Sequence, residues 1–385
     1  MNFELSEEQK LIQDTAREFA KAELEPVAAE LDQGHNQQSF FENLTKLAEL
    51  GFMGLNIEDS YGGSEAGVVA FSLAITEIAR ACASTAVTVS VNNMVSEVIQ
   101  SLGSVAQKEH YITRLCSGEY LAGAFALTES GAGSDPAAMS TSAVRDGDHW
   151  VLNGAKIFIT SAPYAGVFVV WAITDPTAAK GKGISVFLVE PGTPGLKIGK
   201  TEKKMGQHAS ATNELHFQDC RIPGDALMGT LNDGFRVAVA ELAGGRIGIG
   251  SLALGIGLAA MDAATGYALE RVQFGKKISE FQAIQWKIAD RYTELEAARL
   301  LLMQAAYRKE QGLSFAKEAS MAKVFATEAA NRACYDAMQI LGGYGYTSDY
   351  PIERYSRDVR ITTIYEGTSD IQRLIIAREI LSRFE

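Results

Sequence analysis

The chain has 385 residues, 47% of them hydrophobic and 21% charged, and a formal net charge of −12. That is ordinary globular composition with enough length for two or three domains. The negative balance, with basic residues in pairs such as Lys203–Lys204 and Lys276–Lys277 but in no long run, argues against a nucleic-acid surface, which needs clustered Lys and Arg. Four widely spaced cysteines (Cys82, Cys116, Cys220, Cys334) without a CxxC pair, and five histidines without HExxH spacing, argue against disulfide staples and against a metal site.

Residues 1–120 read as an N-terminal helical domain. "MNFELSEEQK" enters an amphipathic helix at once, with Ser6 and Gln9 placed as a capping box and no secretory leader legible. The bacterial cytoplasm is therefore the expected compartment, with a processed mitochondrial matrix form as the alternative. "LIQDTAREFAKAEL" ends near Pro26, "FENLTKLAELG" stops at Gly51, and "VVAFSLAITEIARAC" follows. "TAVTVSVNNMVSEVIQSLG" carries β-branched residues but is too long for a typical strand, and "AQKEHYITRLCSGE" closes the segment.

Residues 121–231 change period. "TSAVRDGDHWVLNGAKIFIT" alternates around Asp146–Gly147 and Asn153–Gly154, both hairpin-turn dipeptides, and "GVFVVWAIT", "GISVFLVE" and "TNELHFQDCRI" read as further short strands. Strands without intervening helices predict an antiparallel barrel or sandwich. From 232 to 385 the helical period returns. The helix before Gly275, "QAIQWKIADRYTELEAARLLLMQAAYRKEQG", "FAKEASMAKVFATEAANRACYDAMQILGG" and the helix after Ser369 make a four-helix bundle. The fold class is thus α+β and multidomain. "IGIGSLALGIGLAAMDAA" is too rich in Gly and Ala to read as a membrane span; its GxG repeats lie within helix, where they fit close helix packing better than a dinucleotide fingerprint.

Several stretches allow two readings from their residues alone. "ALTESGAGSDPAAMSTSA" is either a flexible connector or a cradle of backbone N–H groups and hydroxyls. In "KIFIT", Phe158 and Thr160 fall on one face, either flanking a planar cofactor or packing in a core. Arg271 in "RVQFGKKISEFQ" either binds phosphate or satisfies helix carbonyls. "QILGGYGY" is a glycine helix stop or a place of close backbone approach. Finally, "ITTIYEGTSDIQRL" puts Glu366 between Tyr365 and Gly367. It is a loop residue before a capping box of Ser369 and Gln372, or a carboxylate turned by Gly367 into a cavity.

The motifs "LTESGAGSD", "KIFIT", "GKKISEFQ", "QILGGYGY" and "YEGTSDIQRL" stand in one order and register, and in them the chain resembles the acyl-CoA dehydrogenase family along essentially its whole length. The likeness is greatest to the short-chain (butyryl-CoA) branch, with an echo of the isobutyryl branch in "GGRI". The resemblance implies FAD held between the β-domain and the bundle, a homotetramer built as a dimer of dimers, and electron-transfer flavoprotein as acceptor. By position, Phe125, Leu127, Thr128, Gly133 and Ser134, with Phe158, Ile159 and Thr160, would line the flavin. Arg271, Phe274 and Gln282, with Gln339, Ile340, Gly342 and Gly343, would hold the adenosine diphosphate part of an FAD in the neighbouring subunit. Thr368, Ser369 and Asp370 would complete the FAD site. Ser134, Ala243, Gly244, Gly245, Arg246, Tyr365 and Gly367 would contact acyl-CoA or shape its pocket.

Glu366 matches the family's base, which removes the pro-R α-proton of the thioester while the β-hydride moves to flavin N5, giving a trans-2-enoyl-CoA. Related isovaleryl and long-chain branches carry the base immediately before the arginine that matches Arg246; here that position is Gly245. Four departures stand out: Phe158 for the commoner tryptophan, Asp370 for glutamate, Ala243 for an aspartate, and the "KMGQHASAT" loop, whose His208 is expected to be solvent-exposed. A short straight-chain acyl group is the expected substrate, ahead of a branched or cyclic one. A glutaryl-type substrate ranks low because "TVSVNNMVSEV" carries no arginine. The competing readings are a same-fold oxidase or flavin monooxygenase, and a non-catalytic helical binding protein.

Overall fold

A computed structural model describes residues 4–384. Helix α1 (Glu7–Phe19) starts on the expected capping box: the Gln9 N–H donates to Ser6 Oγ (3.1 Å) and the Ser6 N–H to Gln9 Oε1 (3.0 Å). The short α2 (Ala28–Asp32) and α3 (Gln37–Glu49) lead to α4 (Gly67–Ala81) and α5 (Ala83–Leu102), both buried along most of their length. The β-branched start of α5 is helical because packing on all sides outweighs its weak propensity. Two helical turns, α6 (Val105–Gln107) and α7 (Thr113–Ser117), reach the sheet.

The sheet comprises β1 (Ala122–Ala126), β2 (Ser142–Asp146), β3 (His149–Thr160), β4 (Ala165–Ile173), β5 (Ile184–Val189), β6 (Leu196–Thr201), β7 (Thr212–Pro223) and β8 (Leu227–Met228). Its order is β6-β7-β3-β2-β4-β5-β8, with β1 added on β4. Pairing is antiparallel apart from β1–β4 and β2–β4, which are parallel. Strand period two divides the core. Val167, Val169 and Trp171 of β4 join the helical core, while Phe168, Val170 and Ala172 pack with Trp150, Leu152, Phe187 and Phe217 inside the curled sheet. A strand covered on both faces reads as a continuous apolar run, as "VFVVWA" does.

Asp146–Gly147 makes the expected turn between β2 and β3, with Gly147 at φ +57°. Asn153–Gly154 does not turn; β3 runs through it with a bulge against β7. The reason is local packing. The Asn153 side chain accepts from the Asp219 N–H (2.8 Å), and a Cβ on Gly154 would stand 2.7 Å from Thr141 Cα.

The last part contains α8 (Gly234–Glu270), a hairpin of β9 (Val272–Gln273) and β10 (Lys276–Lys277), α9 (Gln282–Glu310), α10 (Ala316–Leu341), α11 (Ile352–Arg360) and α12 (Ser369–Leu381). The four expected helices are joined by α11, which follows the turn-rich "GYGYTSDYP" and is hidden by it in the sequence. Helix α8 is central and has length and apolarity enough to cross a bilayer, yet its most apolar stretch is 78% buried inside the protein. Its glycines admit neighbours: a Cβ on Gly250 would meet Leu302 Cδ2 at 2.6 Å, and one on Gly257 would meet Ala330 Cα at 3.1 Å. The architecture is therefore three domains, helical, β and helical, and the segment between α11 and α12 enters the region where α5, α8 and α10 converge.

Candidate active site

That segment is a 3-10 turn, Ile361–Thr363, followed by residues that leave helical geometry. Glu366 has φ +51° and Gly367 φ +94°. A non-glycine residue in the left-handed region is held there by its surroundings. Gln372, fully buried on α12, donates its Nε2 to the carbonyls of Glu366 (3.3 Å) and Gly367 (2.8 Å). Lys323 of α10, also fully buried, donates to the Gly367 carbonyl at 2.8 Å. The expected capping box of Ser369 and Gln372 is corrected: Thr368 is the N-cap, its hydroxyl accepting from the Ile371 N–H (3.3 Å), and Gln372 is drawn to the two carbonyls instead. Asp370 does lie in the first turn, exposed.

With its backbone fixed, Glu366 directs its carboxylate inward, and Oε2 is buried without a hydrogen-bond partner among the described residues. Opposite it lies the bare backbone of α8. A Cβ on Gly245 would stand 3.0 Å from Glu366 Cδ and 2.9 Å from Met94 Sδ. Burial pushes the Glu366 carboxyl up to about 7, partly offset by the positive charges of Lys323 and Arg246. Lys323 is pushed down to about 8 by burial, against the attraction of Glu366. Arg246, 5% exposed, donates weakly to Ser320 Oγ (3.4 Å), and its Nε has no partner among the described residues. An unpaired buried carboxylate oxygen beside an unpaired guanidinium nitrogen is costly in a resting fold.

The "KMGQHASAT" loop supports this region. His208 is not a free surface histidine. Its ring nitrogens lie 2.7 Å from the Asp32 carbonyl and 2.9 Å from the Lys204 carbonyl, and Asp32 also receives Arg357. The loop is pinned because three domains meet on it. Gln207 then donates to the Tyr365 hydroxyl (3.2 Å) and to the Asp358 carbonyl (3.1 Å). Burial raises the Tyr365 hydroxyl above its ordinary range, with Gln207 opposing. Neither Gln207 nor Lys323 carries a local sequence signal, and the one that Gln372 carries, a capping box with Ser369, points away from this role. A lysine on a helix and a glutamine in a loop read as solvated until topology buries them.

The "ALTESGAGSDP" loop is anchored rather than flexible at its start. Lys156 of β3, fully buried, contacts Glu129 (2.8 Å) and the Leu127 carbonyl (3.1 Å), and Glu129 also accepts from the N–H groups of Ser140 and Thr141. Burial pushes the Glu129 carboxyl up, but Lys156 and the hydrogen bonds outweigh it and hold it at about 2. The Thr128 carbonyl accepts from the Ile157 N–H (2.9 Å), which brings the loop beside the end of β3. There Phe158 sits on a bulge at φ +58° and 61% exposed, so the core-packing alternative for this side chain is overruled. Leu127 and Ile159 are buried, Phe125 packs on Trp171, and Gly133 and Ser134 are exposed. Thr160, two residues on, is half-buried.

Arg271 caps α8 and lines a cavity of about 430 Å³ with Tyr267, Ile340, Gly342, Gly343 and Tyr344; its guanidinium lies 5.7 Å from the Tyr344 ring centre. The structure thus gathers Arg271 with Ile340 and the glycine pair. It leaves Phe274, Gln282 and Gln339 exposed outside that cavity. On α8, Ala243 and Gly244 are buried, and Lys309 of α9 approaches Gly244 while paired with Glu97 at 2.8 Å. A cation therefore does reach this helix, from α9, but Glu97 already holds it.

Family models match the chain over residues 6–119 (acyl-CoA dehydrogenase, N-terminal domain), 124–220 (middle domain) and 232–381 (C-terminal domain). An acryloyl-CoA reductase (NADH) of Anaerotignum propionicum is 46% identical, covering 100% of this chain and 97% of that protein. The mitochondrial short-chain specific acyl-CoA dehydrogenase of Mus musculus is 47% identical, with 99% and 92% covered. Among solved structures, butyryl-CoA dehydrogenase from Megasphaera elsdenii superposes with a TM-score of 0.95 at 39% identity, covering 99% of this chain and 100% of that one. A chain in a structure of the electron transferring flavoprotein of Acidaminococcus fermentans gives 0.96 at 43%, covering 99% and 100%. An acyl-CoA dehydrogenase complexed with FAD from Bacillus anthracis gives 0.93 at 32%, covering 99% and 68%.

Proposed function

The chain belongs to the acyl-CoA dehydrogenase family, oxidoreductases acting on acyl-CoA, and on that premise we propose that it oxidises a short-chain acyl-CoA to the trans-2-enoyl-CoA with Glu366 as the base. The observation that carries the reading is the buried Glu366 Oε2, without a hydrogen-bond partner among the described residues, facing the side-chain-free surface of Gly245.

The chemistry follows from that placement. An α C–H beside a thioester is a very weak acid, so its base must be desolvated and held in position. Glu366 is both: burial raises its basicity to about 7, and Gln372 and Lys323 clamp the backbone on its carboxyl side. Lys323 and Arg246 limit the rise, so the ionised form persists near neutrality. When the α-proton reaches Glu366, negative charge moves onto the thioester oxygen, where the Glu366 backbone N–H is the chain's own donor in this reading. FAD, when bound, supplies the hydride acceptor for the β-carbon.

The residues fit that cofactor. The exposed, bulge-mounted Phe158 and the anchored Thr128–Ser134 loop offer a ring shelf, and the Arg271 cavity offers a guanidinium and bare glycine backbone for a pyrophosphate. The FAD-bound relative of the same fold supports the assignment. Electron-transfer flavoprotein as redox partner is supported by the likeness to a chain in an electron transferring flavoprotein structure. Exposed Phe274, Tyr346, Tyr335 and Trp286 support assembly of several copies, as a homotetramer.

A second reading, reduction of a 2-enoyl-CoA, is favoured by the acryloyl-CoA reductase relative. It uses the same groups in reverse, with protonated Glu366 delivering its proton to the α-carbon. Anaerobic mixing of the flavin-loaded protein with an acyl-CoA panel tests the proposal. Butyryl-CoA should bleach the flavin and Glu366→Gln should stay yellow; bleaching of that variant at the wild-type rate would refute the role of Glu366.

A further inference from the structure

Gln207 shares the left-handed backbone of Glu366; both have φ +51°. Such a geometry in a non-glycine residue persists only where its surroundings hold it. Glu366 is held on its carboxyl side by Gln372 and Lys323. On its amino side stands Tyr365, whose hydroxyl accepts from the Gln207 side-chain amide (3.2 Å). The Gln207 N–H donates to the buried Asp358 carboxylate. Gly206 lies so close to α11 that a Cβ there would stand 2.6 Å from the Arg357 carbonyl carbon. Four residues after Gln207 the same loop reaches the end of β3: the Ser161 N–H donates to the Ala211 carbonyl (2.8 Å), and Thr212 pairs with Thr160. Residues 207–212 thus span from the Tyr365–Glu366 segment of the last domain to the Phe158–Thr160 end of the β-domain.

His208 fastens this span. Its Nδ1 lies 2.7 Å from the Asp32 carbonyl and 3.0 Å from the Asp32 carboxylate, and its Nε2 lies 2.9 Å from the Lys204 carbonyl. Carbonyls only accept, and a neutral imidazole has one N–H to give. Only the imidazolium meets both. The charges around the ring suit that form. Asp32 faces it from α2; on α11, Arg357 bridges Asp32 and Glu353, and Asp358 stands behind Gln207. In its own loop, Lys204 is turned away onto the Ser210 carbonyl (2.7 Å). Glu202, Lys203 and Tyr164 share with the ring a cavity of about 530 Å³.

We infer that His208 is a positioning residue which, donating from both ring nitrogens, sets the separation between the Glu366 carboxylate and the end of β3. The inference rests on the proposed reading of Glu366 as the base and of the β3 end as the flavin's side of the site. In that reading the α-proton and the β-hydride go to groups held by two different domains. The rate then depends on how closely those domains are kept in register, and a small misplacement is costly. His208 touches neither group; it acts through Gln207 and Tyr365 on one side and through Ala211 on the other. An arginine has the donors and the charge to replace the ring, whereas a side chain with a single donor nitrogen leaves one carbonyl unmet.

The test joins a spectrum to kinetics on the flavin-loaded protein. With histidine labelled in its ring nitrogens, NMR at pH 7 should show both nitrogens of His208 protonated, the signals being assigned by their loss in His208→Arg. His208→Gln should lower kcat for butyryl-CoA at least tenfold with KM changed less than about twofold, and His208→Arg should restore kcat to within about threefold of wild type. The wild-type spectrum and the arginine variant report even where the glutamine variant does not fold. A ring nitrogen without its proton would overturn the inference. So would a glutamine variant of lower melting temperature but wild-type kcat, or an arginine variant as slow as the glutamine one. If no acyl-CoA bleaches the wild type, the reading of the reaction fails and the inference falls with it.

Discussion

The carboxylate of Glu366 and the missing side chain of Gly245 claim the same space: a Cβ on Gly245 would stand 3.0 Å from Glu366 Cδ. Helix α8 can therefore offer no group of its own at this point, and the acid must come from the segment before α12. Gly245→Ala should push the carboxylate off its line and lower kcat at least tenfold, with flavin content unchanged. Turnover and visible absorbance of the same preparation check both halves.

The pH dependence follows from the displaced titration of Glu366. Its folded value of about 7 lies above the usual 4.5, so the base is protonated and inactive below neutrality. The rate of α-proton removal should fall tenfold per pH unit below about 7 and level off above it. The same shift bears on stability. A carboxyl whose folded value is raised contributes stability that is present below its unfolded value and lost as pH rises through the folded one. Glu366→Gln should thus match wild type near pH 4 and be more stable by about 3 kcal/mol above pH 8. Denaturant titrations at the two pH values measure the difference.

Lys323 opposes that shift from the other side. Replacing it with methionine removes a positive charge that favours the ionised Glu366. The acid limb of the pH–rate profile should move upward by about one unit. An unmoved limb would assign Lys323 to the Gly367 carbonyl alone.

Gln372→Leu leaves the carbonyls of Glu366 and Gly367 short of a donor. Stability should fall by about 1–3 kcal/mol. The left-handed turn at Glu366 should loosen with it, lowering kcat more than it raises KM. Thermal unfolding and steady-state kinetics separate the two effects.

Sequence pattern alone reveals the helical–β–helical order, because periods of 3.6 and 2 residues survive in most elements. It misplaces a turn at Asn153–Gly154, where a side chain-to-backbone contact with Asp219 keeps the strand running. It also misses α11, masked by flanking Gly, Tyr and Pro. At the site, the residues around Glu366 leave a loop position and an inward carboxylate equally open; the resemblance to a family singles it out, and the fold then turns the carboxylate inward. Its helpers are not singled out. Gln207, Lys323 and Gln372 lie 159, 43 and 6 residues from it in sequence, and a polar residue on a helix looks solvated until the fold buries it. Ser369 illustrates the reverse error: a plausible cap loses to Thr368, one residue earlier.

The buried Lys156–Glu129 pair ties the Thr128–Ser134 loop to β3. Lys156→Met strands the Glu129 charge and should cost about 3–5 kcal/mol. It should also release flavin on gel filtration, while Lys156→Met combined with Glu129→Gln should recover part of both losses. Melting temperature and the flavin-to-protein absorbance ratio are the readouts.

The central claim concerns proton removal by one side chain, and hydrogen–deuterium exchange at the α-carbon reports it without reference to any electron acceptor. Butyryl-CoA incubated anaerobically with the flavin-loaded protein in heavy water should gain one deuterium at C2 by mass spectrometry, and with Glu366→Gln it should gain none. Exchange at the wild-type rate in that variant would place the base on another residue.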